Sequence, residues 1–433
     1  MPSSTPAQAI DRIPAHSWYA LGVLTLVYVL NFLDRVLMYS LFPLIKREYQ
    51  FSDLQLGLLG ATAFTIFYTV LGIPFGRMAD RVSRKRLIAA GLGVWSLFSG
   101  LTGFAWNFET MFFCRLMVGV GEATLGPAAL SLLSDYFPVR MRATVQAVYS
   151  SAIAVGGGLA FLLGPQVGVW LGWRWAFFLL GFPGVLVCLF VLSLREAKRG
   201  QTETASVSYT RDDWKSLFRS SPMRYLLGGY ALFGLASNSL SIWGLVFFSR
   251  VHGYEIAYIG WWAGLLSVAA GVPGTILGGV VADRLRKRGR GGRMAFTALG
   301  ALASAPLWLA LLFGASPWLL LAASFLLLGV SLMWLGPAAA DVHEIAGPQL
   351  RGLGVGVYFF SVNLAAYGLG APLIGYLSDL LGASGDPALG LAPAPSMMRY
   401  ALLVCPAASA LAALLLWRGS RLLARADEAE AGD

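Results

Sequence analysis

The sequence predicts an all-α membrane protein with twelve transmembrane helices arranged as two pseudo-symmetric six-helix bundles. Composition is the first observation behind this. Of 433 residues, 57% are hydrophobic and 12% are charged, against about 25% charged in an average soluble domain. The second is length: twelve apolar runs each supply the roughly 20 helical residues that cross a hydrocarbon core of about 30 Å. The third is repetition, since a polar motif after the second run returns after the eighth. So much apolar surface does not fit inside one water-soluble core. A soluble enzyme, a secreted disulfide scaffold and a disordered chain are therefore excluded.

In chain order the runs lie near 18–41, 55–78, 86–106, 109–135, 142–169, 173–194, 223–249, 257–282, 293–314, 317–341, 351–381 and 397–418. The polar stretch 195–222 separates the sixth from the seventh. It is read as a cytoplasmic linker between a first bundle, 1–194, and a second, 223–433, that ends in a cytoplasmic tail. Within it, the segment from Asp212 to Arg219 suits a short surface helix.

The formal net charge is +10. Basic residues crowd the cytoplasmic loops of membrane proteins, so this charge is read as topology and not as nucleic-acid binding. With the N-terminus inside, the cytoplasmic segments hold 25 Lys and Arg. The opposite loops hold five: Lys46, Arg47, Arg174, Arg250 and Arg399. Both termini are thus expected in the cytoplasm. No cleavable signal peptide is evident. Cys114, Cys188 and Cys405 sit in apolar runs and are expected to be inert packing residues. His16, His252 and His343 show no metal-ligand spacing. There is no phosphate-binding P-loop and no nucleophile–base pair, so neither a cofactor, a metal nor an enzymatic activity is expected.

The two halves repeat each other. Gly76-Arg-Met-Ala-Asp80-Arg81, running on to Arg84, Lys85 and Arg86, matches Gly279-Val-Val-Ala-Asp283-Arg284, running on to Lys287 and Arg288. Gly126-Pro127-Ala128-Ala129 returns as Gly336-Pro337-Ala338-Ala339, and Val148-Tyr149 as Val357-Tyr358. A six-helix unit duplicated in the same in/out sense marks transporters with a central site between the halves.

The motif at Gly76–Arg86 resembles the cytoplasmic signature of the major facilitator superfamily. On the fifth helix, Ala160-x-x-x-Gly164-Pro165-x-x-Gly168 resembles that family's antiporter motif, with Ala160 where the first Gly usually stands. Asn31-Phe32-Leu33-Asp34-Arg35 on the first helix, and Arg115 to Glu122-Ala123 on the fourth, resemble the Spinster group of lysolipid and sphingolipid transporters.

Asp34, Arg35, Arg115 and Glu122 are charges inside apolar helices. Such a charge costs about 2.5–3.5 kcal/mol at mid-helix, so it must pair, face water or be functional. Asp34, Arg35 and Arg115 fall at similar depth, Arg115 about 9 Å into its helix, and Glu122 lies about 11 Å deeper on the same face as Arg115. Adjacent residues point about 100° apart. The expected pairs are Asp34 with Arg115 and Arg35 with Glu122. Glu122 is then the candidate proton carrier and Asp34 the organiser of Arg115.

Helices seven to twelve show no clear mid-helix charge, and Asp283, Asp341, Glu344 and Asp379 are placed near helix ends. Asn31, Tyr149, Asn238, Trp334, Tyr358, Asn363 and Tyr367 are candidates to line a substrate cavity. A charged head at the first-half cluster and an apolar chain against the second half would suit an amphiphile. A cytoplasmic gate is expected from Gly76, Asp80, Arg81, Arg84, Asp135 and Asp283. In it Arg81 and Arg84 bridge to Asp135, and the resemblance makes the start of the eleventh helix, near Leu350–Arg351, the partner of Asp80.

The resemblance implies a monomeric alternating-access transporter in the plasma (inner) membrane, carrying a lysophospholipid or sphingoid amphiphile with protons. A proton-coupled exporter of drugs or amphipathic metabolites is the alternative. An uncoupled lipid uniporter or scramblase is a third reading.

Overall fold

The computed structural model describes residues 13–79, 81–138, 141–197, 218–384 and 394–432. Among them the regular structure is entirely helical. Twelve helices are long and apolar enough to span a membrane. In the first half these are α1 (Ala15–Ser40), α2 (Asp53–Gly72), α3 (Arg84–Phe104), α4 (Phe108–Tyr136), α5 (Thr144–Trp170) and α6 (Trp173–Leu192). In the second they are α7 (Ser221–Val251), α8 (Ile256–Arg286), α9 (Gly292–Phe313), α10 (Pro317–Gly347), α11 (Leu353–Gly382) and α12 (Met398–Arg425). With an even number of spans both chain ends share one face, called here the termini face; the other is the far face.

Local chemistry sets several boundaries. The Ser52 and Gln55 side chains form a reciprocal cap at the start of α2, and Asn107 with Thr110 does the same for α4. Proline in the first turn starts α7 and α10. Both α4 and α10 are interrupted at the same point of the repeat, around Ala123–Thr124 and Met333–Trp334. Pro127 and Pro337 lie four residues beyond Ala123 and Met333, and a proline ring clashes with the carbonyl four residues back and leaves it without a donor. Glu122 therefore sits at a break in its helix. At Gly347, φ is +70°, and the chain turns sharply between α10 and α11.

The packing is asymmetric along the membrane normal. Near the far face a single hydrophobic core runs through both halves, from Leu37, Phe42 and Phe177 to Trp243, Trp308 and Leu402. Toward the termini face there are two separate cores. One lies within the first half around Leu24, Trp95 and Leu132, and the other within the second half around Tyr230, Met294 and Val342. The molecule is joined at the far end and split at the termini end.

The start of the expected linker is described only to Ala197. Its residues 198–217, and with them most of the proposed Asp212–Arg219 surface helix, lie outside the described residues.

Candidate translocation site

The four intramembrane charges converge where α1, α3 and α4 meet. Arg35 Nη2 donates to Glu122 Oε2 at 2.8 Å, with the two side chains 8% and 0% exposed. The Arg35 guanidinium also lies over the rings of Phe64, Phe32 and Tyr68, at 4.4, 4.8 and 5.0 Å. Cation–π contact compensates part of its lost hydration. The buried Asn31 Oδ1 accepts from the same Nη2 at 3.5 Å.

The second expected pair is not an ion pair. The Asp34 carboxylate accepts from Ser99 Oγ at 2.8 Å. Arg115 Nη1 reaches only the Asp34 main-chain oxygen, at 3.4 Å. The cause is helix rotation: Arg35 faces α4, so its neighbour is turned toward α3. Arg115 is fully buried, and among the described residues its Nε and Nη2 have no hydrogen-bond partner, nor has Glu122 Oε1. Buried guanidinium nitrogens are rarely left unsatisfied.

Elements of both halves meet near this cluster. Tyr367 donates to Asn238 Oδ1 at 2.5 Å, joining α11 to α7. Thr62 Oγ1 on α2 donates to the Gly368 carbonyl at 3.2 Å. Both contacts fall at widened, π-helical turns, Leu58–Thr62 and Leu364–Gly370, a distortion that often marks functional sites. The other cavity candidates differ. Tyr149 is buried and stacked on Tyr28 at 4.4 Å. Trp334 and Tyr358 are packed into the second-half core, 3% and 2% exposed, and line no open wall. Asn363 bonds within its own helix, to the Phe359 carbonyl.

The motif residues on α5 serve packing between elements. Gly164 and Gly168 let α5 approach Leu37 and Ser40 of α1 and the following Leu41 and Leu44, while Pro165 abuts Gly260 of α8. A Cβ on Gly260 would stand 2.6 Å from the Phe161 carbonyl. Helix α5 therefore spans the seam between the halves.

At the termini face Arg84 is a buried hub. It is paired with Asp135, and bonds Glu196 at 2.9 Å and Ser131 at 3.0 Å. Lys85 Nζ caps the α6 end through the Leu194 carbonyl at 2.6 Å. The hub thus ties α3, α4 and the beginning of the linker together. Arg81, expected to share Asp135, is exposed and makes no ion pair with it among the described residues. Asp80 lies outside the described residues. A Cβ on Gly76 would stand 3.8 Å from the Pro127 ring of α4. Asp283 is exposed and pairs within its own half, with Arg293 at 2.8 Å.

The sequence reading missed a latch at the far face. Asp53 accepts from Lys46 at 2.5 Å, from both terminal nitrogens of Arg250 at 2.5 Å and from Ser378 at 2.6 Å. Asp379 accepts the main-chain N–H groups of Asp53 and Leu54 at 2.8 Å, capping the positive end of α2. The latch joins α2 to α7 and α11 across the halves. Each residue sits at a helix end, where isolated charge is ordinary. The only local signal was the acid following the Ser52 cap.

Twelve spans in two bundles, with a cluster of charges buried among the helices of the first, define a membrane transport protein. The chain belongs to the Major Facilitator Superfamily, whose sequence profile matches residues 24–366. It is 29% identical to an MFS-type efflux pump of Mycolicibacterium smegmatis, over 96% of this chain and 97% of that one. It is 28% identical to Protein spinster homolog 1 of Xenopus laevis, over 88% of this chain and 76% of that one. The fold is also that of a crystal structure described as a bacterial homologue of the human lysosomal transporter Spinster, inward-facing and unoccupied. The TM-score is 0.85 at 24% identity, over 94% of this chain and 98% of that one. The chain is a multi-pass membrane transporter that resembles the Spinster proteins, in a superfamily that is not enzymatic.

Proposed function

We propose that this protein is a proton-coupled carrier of a lysophospholipid or sphingoid-type amphiphile, working as a monomer by alternating access. We place it in the plasma (inner) membrane with both termini in the cytoplasm. The observation that carries the reading is Arg115: a fully buried cation, two of whose nitrogens have no partner among the described residues, beside the Arg35–Glu122 pair. A negative substrate group fits those nitrogens.

Protonation of Glu122 removes one charge from its pair with Arg35. Breaking a buried ion pair by removing one partner costs about 3–5 kcal/mol. Carrying a two-state equilibrium from 1:99 to 99:1 takes about 5.5 kcal/mol. The one pair thus accounts for most of the swing that a transport cycle requires, and a proton gradient can bias the cycle through it. The split termini end and closed far end then correspond to the inward-facing state. The two six-helix halves are the units that rock.

The likeness to an efflux pump over 96% of the chain favours a second reading, a proton-coupled exporter of drugs or amphipathic metabolites. The discriminating experiment uses purified protein in proteoliposomes. Uptake of a labelled lysophospholipid is followed with and without a pH gradient, for wild type and Glu122→Gln. Accumulation that requires both the gradient and Glu122 is expected. Equilibration indifferent to both would leave a uniporter or scramblase, and no lysolipid movement would leave the exporter.

A further inference from the structure

Asp341 is a carboxylate the reading above does not use. Its sequence context suggested a helix end, but α10 continues to Gly347, and Asp341 is 2% exposed inside the second-half bundle. An ionisable group buried within a membrane-spanning helix is by default functional.

Among the described residues its neighbours come from four other helices. Tyr230 faces it from α7, Thr297 and Arg293 from α9, Tyr358 from α11 and Arg286 from α8, with Glu344 one turn further along α10. Both arginines are engaged elsewhere. Arg286 pairs with Glu344 at 2.7 Å, and Arg293 pairs with Asp283 at 2.8 Å and Glu344 at 3.2 Å. Among the described residues no Lys or Arg forms an ion pair with Asp341.

What Asp341 has is a hydrogen-bond chain that reads in two directions. Tyr230 Oη stands 3.1 Å from Asp341 Oδ2 and 3.3 Å from Thr297 Oγ1. The Thr297 hydroxyl donates to the Arg293 carbonyl at 3.2 Å, leaving its oxygen free to accept. A phenol has one proton to give and lone pairs to accept with. When Asp341 is ionised, Tyr230 donates to it. When Asp341 is protonated, the acid donates to Tyr230, which turns its own proton to Thr297. No donor is stranded in either state, so the same packing holds both.

We propose that Asp341 is a proton-binding site of the second half, loaded from the termini face. The proton comes from water there, forms an O–H bond on the carboxylate and carries its charge in with it; nothing else is exchanged. The way in passes Glu344, three residues nearer that face. The site is not a copy of the first-half one. Counting from Gly126 and Gly336, the position matching Asp341 is Ser131, which is bonded to Arg84. The proposal extends the proton-coupled reading, and its test separates the two.

The test is infrared difference spectroscopy of the full-length protein across pH, read at the carbonyl stretch of a protonated carboxylic acid. A band that titrates, is lost in Asp341→Asn and persists in Glu122→Gln is expected. Tyr230→Phe is expected to displace that band and its midpoint. It carries the test on its own should Asp341→Asn not reach the membrane. A spectrum unchanged by Asp341→Asn, or a band that does not titrate, would overturn the proposal. Loss of a band in Glu122→Gln reports on the first-half reading independently.

Discussion

Arg35 Nη2 stands 2.8 Å from Glu122 Oε2, a contact between residues 87 positions apart made beside a break in α4. The pair lies where the first-half helices meet the split between the halves. Among the described residues it is the ion pair of the four-charge cluster, with Asn31, Asp34 and Arg115 around it.

Glu122→Gln keeps the shape of that side chain and its hydrogen bond from Arg35, while removing the charge. Gradient-driven accumulation is expected to disappear with little loss of folded protein. Arg35→Ala strands Glu122 instead and is expected to lower stability by about 3–5 kcal/mol as well as transport. Thermal unfolding beside proteoliposome uptake separates the two effects. Full accumulation in Glu122→Gln would move the coupling site away from this pair.

The contacts around Asp53 tie α2 to α7 and α11 at the far face. Asp53→Asn leaves Arg250 and Lys46 without their anionic partner and places an amide N–H2 donor among them, which weakens this tie between the halves. The population is expected to shift toward far-face opening. Labelling of cysteines introduced on that face, outside the latch, measures it. Arg250→Ala is expected to shift the same equilibrium in the same direction, and unaltered labelling in both would show that packing alone closes the face.

Gly57 makes a separate prediction for the same seam. A Cβ there would stand 2.7 Å from the Ala371 carbonyl, a backbone atom that cannot rotate away. Gly57→Val is expected to keep α2 and α11 apart and slow transport severely. Gly22 on α1, which is exposed and has open space around it, is the control, with Gly22→Ala expected to transport normally.

Glu196 gives a pH dependence. Burial pushes its carboxyl up, but hydrogen bonds from Ser83, from Arg84 and from the main chain of Lys85 and Arg84 outweigh this and hold it below the usual range. A depressed carboxylate contributes stability above the ordinary Glu value of about 4.3, and loses it as pH falls through its lower folded value. The tether of residues 193–197 to Arg84 is therefore expected to hold at neutral pH and release only in strong acid. Acid-stable proteolysis of this segment reads the release. Glu196→Gln should expose it at neutral pH, and equal protection in both would remove Glu196 from the tether.

Much of this was legible in the chain itself. Apolar runs about 20 residues long, a repeated Gly-Pro and Asp-Arg motif and four charges in apolar helices are local or periodic features, and hydropathy and helical pitch act on them without reference to neighbours. They determined the twelve spans, the duplication, the membrane class and the Arg35–Glu122 pair. Tertiary structure alone decided that Asp34 turns to Ser99 and away from Arg115, that the Asp53 carboxylate pairs with Arg250 while Asp379 caps its main chain, and that Asp341 lies buried against Tyr230. It also decided that the halves share a core at one end and part at the other. These outcomes depend on how each helix is rotated and where distant helices touch. That is set by the packing of side chains against one another, which no single stretch of sequence contains.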